Sequence, residues 1–596
     1  MHGATVRGAE TEFRVWAPSA KQITLRLSCK GQPERDVPMS RDSDGTFTAT
    51  LAASPGDRYF YVVDGGKPVP DPVSRFLPEG VHGPTEIVDP VAFEWHDEGW
   101  RGRKLDDYIL YELHVGTFTA EGAFDSIIPR LDYLKNGLGI TAIEIMPVAQ
   151  FPGTRNWGYD GVSLYAPQNS YGGPAGLKRL VDAAHQCGLA VVLDVVYNHL
   201  GNEGNYLRLF GPYFTDQHAT PWGEAINYDQ PGCEGVRHYI VQNALYWIRE
   251  YHFDGLRMDA VHTISDDSPK HILAEITEHV EHLASELGRD VVTIAETDEN
   301  DASKVRAREE SGYGLDAVWS DDFHHSIHAF FTGERQGYYQ DFGAPLQIAR
   351  ALNEGFVFQG EPFKFWNGRA RGTPSADMPP QAHVICLQNH DQIGNRAKGD
   401  RLTSLIPRGA RFVASALLLL APETPLLFMG QEWDEPSPFQ FFTSFSDEAL
   451  KKAVREGRRS EFAGFDWKDV PDPEDPETFK HSHIDWEYGL RGNSPMLRWY
   501  RDLIALRKKI YGVGTVQAAS PNASTPNPSR SCLATLLDDG AVIRVEIPRA
   551  PANEAPRLLV LASLKPGAKF EAGEGWKELL CQDEDGYRVA VYERES

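Results

Sequence analysis

Four short segments each end in side chains able to move a proton or hold a charge: Asp194-Val195-Val196-Tyr197-Asn198-His199, Leu256-Arg257-Met258-Asp259-Ala260-Val261-His262, Ile294-Ala295-Glu296 and Gln388-Asn389-His390-Asp391-Gln392. Carboxyl groups in such a set suit the breaking of a glycosidic bond. One carboxylic acid protonates the departing oxygen, and a second, ionised, attacks or stabilises an oxocarbenium-like centre. Arg257, two residues before Asp259 and so on the same side of a strand, is placed to keep that carboxylate charged. Glu296 must start protonated, and crowding by the other carboxylates with partial desolvation would raise its pKa. Singly, each segment is weak. An Asp after a strand commonly caps the next helix, and for Asp194 and His262 that ordinary role stands level with the chemical one.

Residues from such distant segments converge only if the elements carrying them share an end. From Asp107 onward β-rich apolar runs alternate with helix-length stretches, and eight runs can be counted: Tyr108–Val115, Ala142–Met146, Ala190–Val196, Gly255–Met258, Val291–Ala295, Ala317–Trp319, His383–Leu387 and Pro425–Phe428. Between them lie amphipathic stretches such as Gly235–Tyr251. Eight alternating units predict an α/β fold, a closed (β/α)₈ barrel whose C-terminal rim collects the residues after each strand. Long intervals between strands three and four and between strands six and seven leave room for excursions over that rim. Short strands at Glu12–Trp16, Ile23–Leu27 and Tyr59–Val63 predict a β-sandwich over 1–95, and Trp95 to Lys104 reads as a linker. The barrel is expected over 96–510, closing with a helix at Pro495–Lys509. A C-terminal β-domain is expected over 511–596, after a Pro/Ser/Asn-rich connector at Ser520–Ser529.

The chain has 596 residues, more than one core accommodates, and its 85 acidic against 59 basic residues give a net charge of -26. That charge disfavours nucleic acid and anionic bilayers and leaves a neutral ligand as the better fit. The six cysteines, Cys29, Cys187, Cys233, Cys386, Cys532 and Cys581, lie far apart and read as reduced, mostly buried thiols. With no basic segment followed by an apolar run at the N-terminus and no apolar stretch near ~20 residues, a cytoplasmic location is expected.

The four strand ends resemble the signature regions of the α-amylase superfamily. Carried over residue by residue, that resemblance makes Asp259 the nucleophile, Glu296 the general acid/base and Asp391 the third carboxylate, which binds sugar hydroxyls. It gives His199 and His390 contacts to the cleaved sugar and makes Tyr159, in Trp157-Gly158-Tyr159-Asp160, the platform beneath it. Trp157, Arg257, His262, Gln392 and Asn395 complete the expected sugar contacts. The implied chemistry is a retaining double displacement, with the carboxyls of Asp259 and Glu296 about 5–5.5 Å apart.

Longer stretches narrow the resemblance. Glu296-Thr297-Asp298-Glu299-Asn300-Asp301, Gly314 to His325, Pro438-Phe439-Gln440-Phe441-Phe442 and the opening Phe13-Arg14-Val15-Trp16-Ala17-Pro18 are similar to the maltooligosyltrehalose trehalohydrolase family over nearly the whole chain. The family cleaves the α-1,4 bond beside a terminal trehalose. Asp321, Asp322, Phe323, His324 and His325, after strand six, are then expected to shape the trehalose side with Phe439–Phe442; for each aromatic, core packing is an equal alternative. The resemblance further implies no metal or organic cofactor, an immunoglobulin-like N-terminal module as in branching and debranching enzymes, and maltooligosyltrehalose synthase as a pathway partner without a stable complex. A glycogen branching or debranching enzyme is the nearest rival, and a non-catalytic glucan-binding protein a remote one.

Overall fold

The structure, a computed structural model, describes residues 2–461, 470–491, 494–513, 531–547 and 557–595; the Ser520–Ser529 connector lies outside the described residues. Eight parallel strands close on themselves: β1 (Leu110–Leu113), β2 (Ala142–Ile145), β3 (Ala190–Val195), β4 (Gly255–Met258), β5 (Val292–Ala295), β6 (Ala317–Trp319), β7 (His383–Cys386) and β8 (Thr424–Phe428), with β1 pairing both β2 and β8. Each expected run is a barrel strand. Their sequences are nearly continuous apolar runs because both faces are covered, the inner by opposing side chains and the outer by helices.

Inside the barrel, Leu110, Ala142, Val192, Ile294, Ala317, Val384 and Leu426 fill the lower layers with apolar side chains. One pleat higher the inward positions become ionisable: Glu112, Glu144, Asp194 and Arg257 are all buried. Strand register sets Glu112 beside Glu144 and Asp194 beside Arg257. A charged layer therefore lies directly under the rim that carries Asp259 and Glu296.

Four helices matter for the site: α1 (Cys233–Glu250), α2 (Asp321–Thr332) immediately after β6, α3 (Glu448–Glu461) in the excursion after β8, and α4 (Pro495–Tyr511), which ends the barrel. Between β3 and β4 a hairpin (Phe214–Thr220 with Gly223–Ile226) rises over the rim. The N-terminal module packs two antiparallel sheets, one containing Gly3–Arg7, Glu10–Trp16 and Thr46–Leu51, the other Ile23–Ser28 and Arg58–Val63. It is tied to the barrel by Trp16 against Gly235 at the start of α1 and by the buried Arg75–Glu250 ion pair. The C-terminal strands Leu533–Leu537, Val542–Ile547, Leu558–Ser563, Trp576–Glu584 and Tyr587–Arg594 form one antiparallel sheet.

The stretch read as a linker is a strap rather than a tether. The indole N–H of Trp100 donates to Asp254 at 2.7 Å, Asp97 pairs with His185 and His252 at 2.8 Å each, and Arg103 donates to the Gly188 carbonyl. Trp100 and Leu105 pack against the lower end of the barrel interior. The cysteines also differ from expectation: all six are free, but Cys386 alone is buried, because the others stand at element ends or on the outermost C-terminal strand, where packing covers one side only. Among the described residues no helix is long and apolar enough to cross a membrane.

Candidate active site

A single guanidinium organises the rim. Arg257, fully buried, donates through Nη1 to Asp259 Oδ1 at 2.8 Å and to both oxygens of Asp194 at 3.0 and 2.9 Å. Its Nη2 stands 3.6 Å from Glu296 Oε2 and 3.9 Å from Asp391 Oδ2. Strands β3, β4, β5 and β7 thus each deliver a carboxylate to one cation, which lies 4.2 Å from the centre of the Trp319 ring. The Asn198 amide fixes the second oxygen of Asp259 at 2.8 Å. Just past Asp259 the backbone turns through a left-handed conformation at Ala260, φ 40°, which a residue with a Cβ rarely adopts. That turn aims the Ala260 N–H at Glu296 Oε2, 2.6 Å away.

Behind this group the Tyr159 hydroxyl donates to Asp194 Oδ2 at 2.6 Å and lies 2.8 Å from His390 Nε2, and the two rings stack with centroids 5.2 Å apart. His390 Nδ1 meets the buried carboxylate of Glu112. Burial works to lower the His390 pKa, but Asp391 and Glu112 overcome it and raise the imidazole to about 9. Burial, opposed by Arg257 and reinforced by Asp259 and Asp391, raises Glu296 to about 7. This places a proton on Glu296 for much of the neutral range, as a general acid requires. Asp321 is pushed up to about 8 by burial and by its neighbours Glu296 and Asp391.

Tyr159, Asp259, Glu296, Asp321 and Asp391 face a cavity of about 720 Å³ whose walls also include Trp157, His199, His262, Gln392 and Asn395. One family model, the α-amylase catalytic domain, matches residues 88–218, and another, carbohydrate-binding module 48 (isoamylase N-terminal domain), matches residues 2–92. Over its full length the chain superposes on a Salmonella typhimurium crystal structure provisionally described as an α-amylase, with TM-score 0.87, 39% identity and 99% of that chain covered. It is 46% identical to the malto-oligosyltrehalose trehalohydrolase of Saccharolobus solfataricus, covering 90% of this chain and 92% of that one, and 47% identical to that of Arthrobacter ramosus, covering 84% and 87%. The chain belongs to the malto-oligosyltrehalose trehalohydrolase family. It is accordingly a glycoside hydrolase with an α-amylase-type catalytic barrel.

Against that family's expected site, the segment after β6 divides by helical geometry. Asp321 and His325, four residues apart on α2, share a face and line the cavity. Asp322, Phe323 and His324 rotate away from it, which corrects the expectation that all five touch the sugar. Phe323 is wholly buried, and His324 is held by the Leu387 carbonyl at 2.6 Å and the Tyr339 hydroxyl at 3.0 Å. Asp322 accepts from the Val357 and Phe358 N–H groups, the Asn300 amide and Arg371 Nη1 at 2.7 to 3.0 Å. Asp322→Ala would take from the buried Arg371 its carboxylate partner and should cost about 3–5 kcal/mol, read as a lowered midpoint in chemical denaturation; an unchanged midpoint would refute this anchoring role. Arg257 and His390, expected to touch the sugar, stand buried behind the cavity wall, 2.8 Å from Asp259 and 3.4 Å from Asp391 respectively, and do not line it. Of the aromatics after β8, Phe441 lines the cavity and meets Trp157 edge-on, whereas Phe439 and Phe442 are core.

Several wall residues carried no recognisable signal in the sequence: Trp222 at the hairpin tip, Tyr338, Phe363 and Phe365 in the β6–β7 excursion, and one face of α3. Trp222 and Phe365 are large, apolar and about half exposed, 48% and 47%, an arrangement suited to stacking on sugar rings. Among the described residues, His218, Asp229 and Asp267 bring ligand atoms within 4.8 Å of one another. They lie outside the cavity lining, and Asp229 Oδ2 already accepts from the Asp267 N–H and pairs with His218 Nε2.

Proposed function

We propose that this enzyme hydrolyses the α-1,4 bond next to the terminal trehalose of a maltooligosyltrehalose, with retention of configuration. The observation that carries the chemistry is the convergence of Asp259, Glu296 and Asp391 on the buried Arg257; the substrate comes from the relatives named above. Protonated Glu296 gives its proton to the bridging oxygen as the bond from that oxygen to the anomeric carbon breaks. An oxygen of Asp259 bonds to the anomeric carbon, and trehalose departs. Glu296, now ionised, takes a proton from water, whose oxygen displaces Asp259 and frees the shortened glucan. Asp391 holds sugar hydroxyls through the oxocarbenium-like transition state, and Tyr159 packs beneath the ring. The same reading puts the enzyme in the cytoplasm, meeting its substrate after a maltooligosyltrehalose synthase has made and released it.

Release of trehalose from a maltooligosyltrehalose, with the α-anomer of the shortened glucan appearing first by NMR, tests both parts. Maltose as the disaccharide, or conversion of amylose to branched glucan, would favour the rivals, and the β-anomer first would refute retention. Asp321 refines the reading on the trehalose side. Burial, with Glu296 and Asp391 nearby, leaves the carboxyl protonated near neutrality, so it can donate a hydrogen bond to a sugar oxygen. Asp321→Asn keeps a donor and should hold KM within about threefold, whereas Asp321→Ala should raise it about tenfold, one hydrogen bond's worth. Equal effects of the two substitutions on KM would remove that role.

A further inference from the structure

We propose that Glu203, on the loop after β3, is a positioning residue: it latches the first turn of α3 and thereby fixes the cavity wall that this helix presents to the substrate. Leu450, Ala453, Val454, Gly457 and Arg458 recur at helical spacing along α3, and that face lines the cavity. Through residues 448–460 of this helix only Arg458 is buried. Apolar packing of the kind that seats most helices is therefore nearly absent, and the wall stands where polar ties place it. At its far end Arg458 donates to Asn395 Oδ1 at 2.9 Å and to the Gly394 carbonyl, and Arg455 pairs with Asp472 at 2.8 Å.

At its near end the tie is Glu203. One oxygen accepts the backbone N–H groups of Ser446 and Asp447 at 2.8 and 3.2 Å, and the other accepts the Ser446 hydroxyl. Asp447 in turn caps the helix, taking the N–H groups of Ala449 and Leu450 at 2.8 and 2.9 Å. The Glu203 side chain is 8% exposed. Burial works to raise its pKa, but the donors of Ser446 and Asp447 outweigh burial and hold it below the ordinary glutamate value, in the ionised form that makes the stronger hydrogen bonds. The N-terminal module backs the loop: Gly204, φ +86°, presses on Val81 so closely that a Cβ would sit 2.4 Å from the valine Cβ, and His82 lies 2.6 Å from the Tyr206 hydroxyl. The wall so fixed adjoins Asn395 and Phe441, the latter with its ring centre 4.9 Å from Arg458, and it lines the same cavity as Asp259, Glu296 and Asp391.

The kinetic arm of the test rests on the proposed cleavage, and the exchange arm does not. Glu203→Ala should raise KM for a maltooligosyltrehalose about tenfold, with kcat within about twofold. Glu203→Gln, which keeps an acceptor oxygen, should restore most of the loss. Without any substrate, amide hydrogen exchange over residues 447–454 should quicken about tenfold or more in Glu203→Ala. Unchanged exchange, or an unchanged KM, overturns the proposal. If the parent enzyme releases no trehalose, the cleavage reading falls, and exchange alone decides the latch.

Discussion

Asp259→Asn should lower kcat on the order of 10⁴-fold while oligosaccharide affinity stays within about threefold. An amide cannot form the ester to the anomeric carbon, yet it has almost the shape of the carboxylate and can still accept from Arg257. The fold should tolerate the change, because Arg257 keeps both oxygens of Asp194. The contrast between lost turnover and kept binding separates a catalyst from a glucan-binding protein. It is read by disaccharide release alongside calorimetric titration with a maltooligosaccharide. Turnover within tenfold of the parent would remove Asp259 from the nucleophile's role.

Glu296→Gln should cost about 10²–10⁴-fold in kcat and should also change the pH profile. A carboxyl raised from 4.5 to about 7 keeps its proton below pH 7 and loses it as the pH rises through that value. The parent's kcat/KM should therefore fall on the alkaline side of about pH 7, and the glutamine variant should lack that limb. An aryl α-glucoside whose leaving group needs no proton should lose much less in its bond-breaking step. If the variant retains the alkaline limb, another group is the acid.

The barrel was legible because a strand buried on both faces has to be largely apolar, and the eight runs in the sequence meet that demand except at the inward charges Glu112, Glu144, Asp194 and Arg257. The catalytic trio was legible for a related reason: a strand end fixes which rim its next side chain joins, so order along the chain translates into position. Legibility fails where direction depends on rotation around a helix. Asp321 to His325 read as one polar cluster, yet each successive residue on α2 turns about 100°, and only the first and last of the five reach the cavity. The face of α3 was hidden differently. Lys451, Lys452, Arg455, Glu456 and Arg459 surround its few apolar residues, so by composition it resembles a solvated helix. Glu203 gave no signal at all, since its partners lie 243 and 244 residues away.

The strap beneath the barrel also bears on how the chain is made. Trp100 is synthesised 154 residues before its acceptor Asp254, a lag of roughly eight to thirty seconds at ~5–20 residues per second. The floor of the barrel is thus sealed by a segment that has to wait, already attached to a finished N-terminal module, for β4 to leave the ribosome. A nascent chain halted before β4 would leave that indole N–H without its acceptor and the strap without its floor, a surface of the kind chaperones hold. The fourth strand brings the acceptor, and strands five to eight bring the rest of the floor that covers this surface.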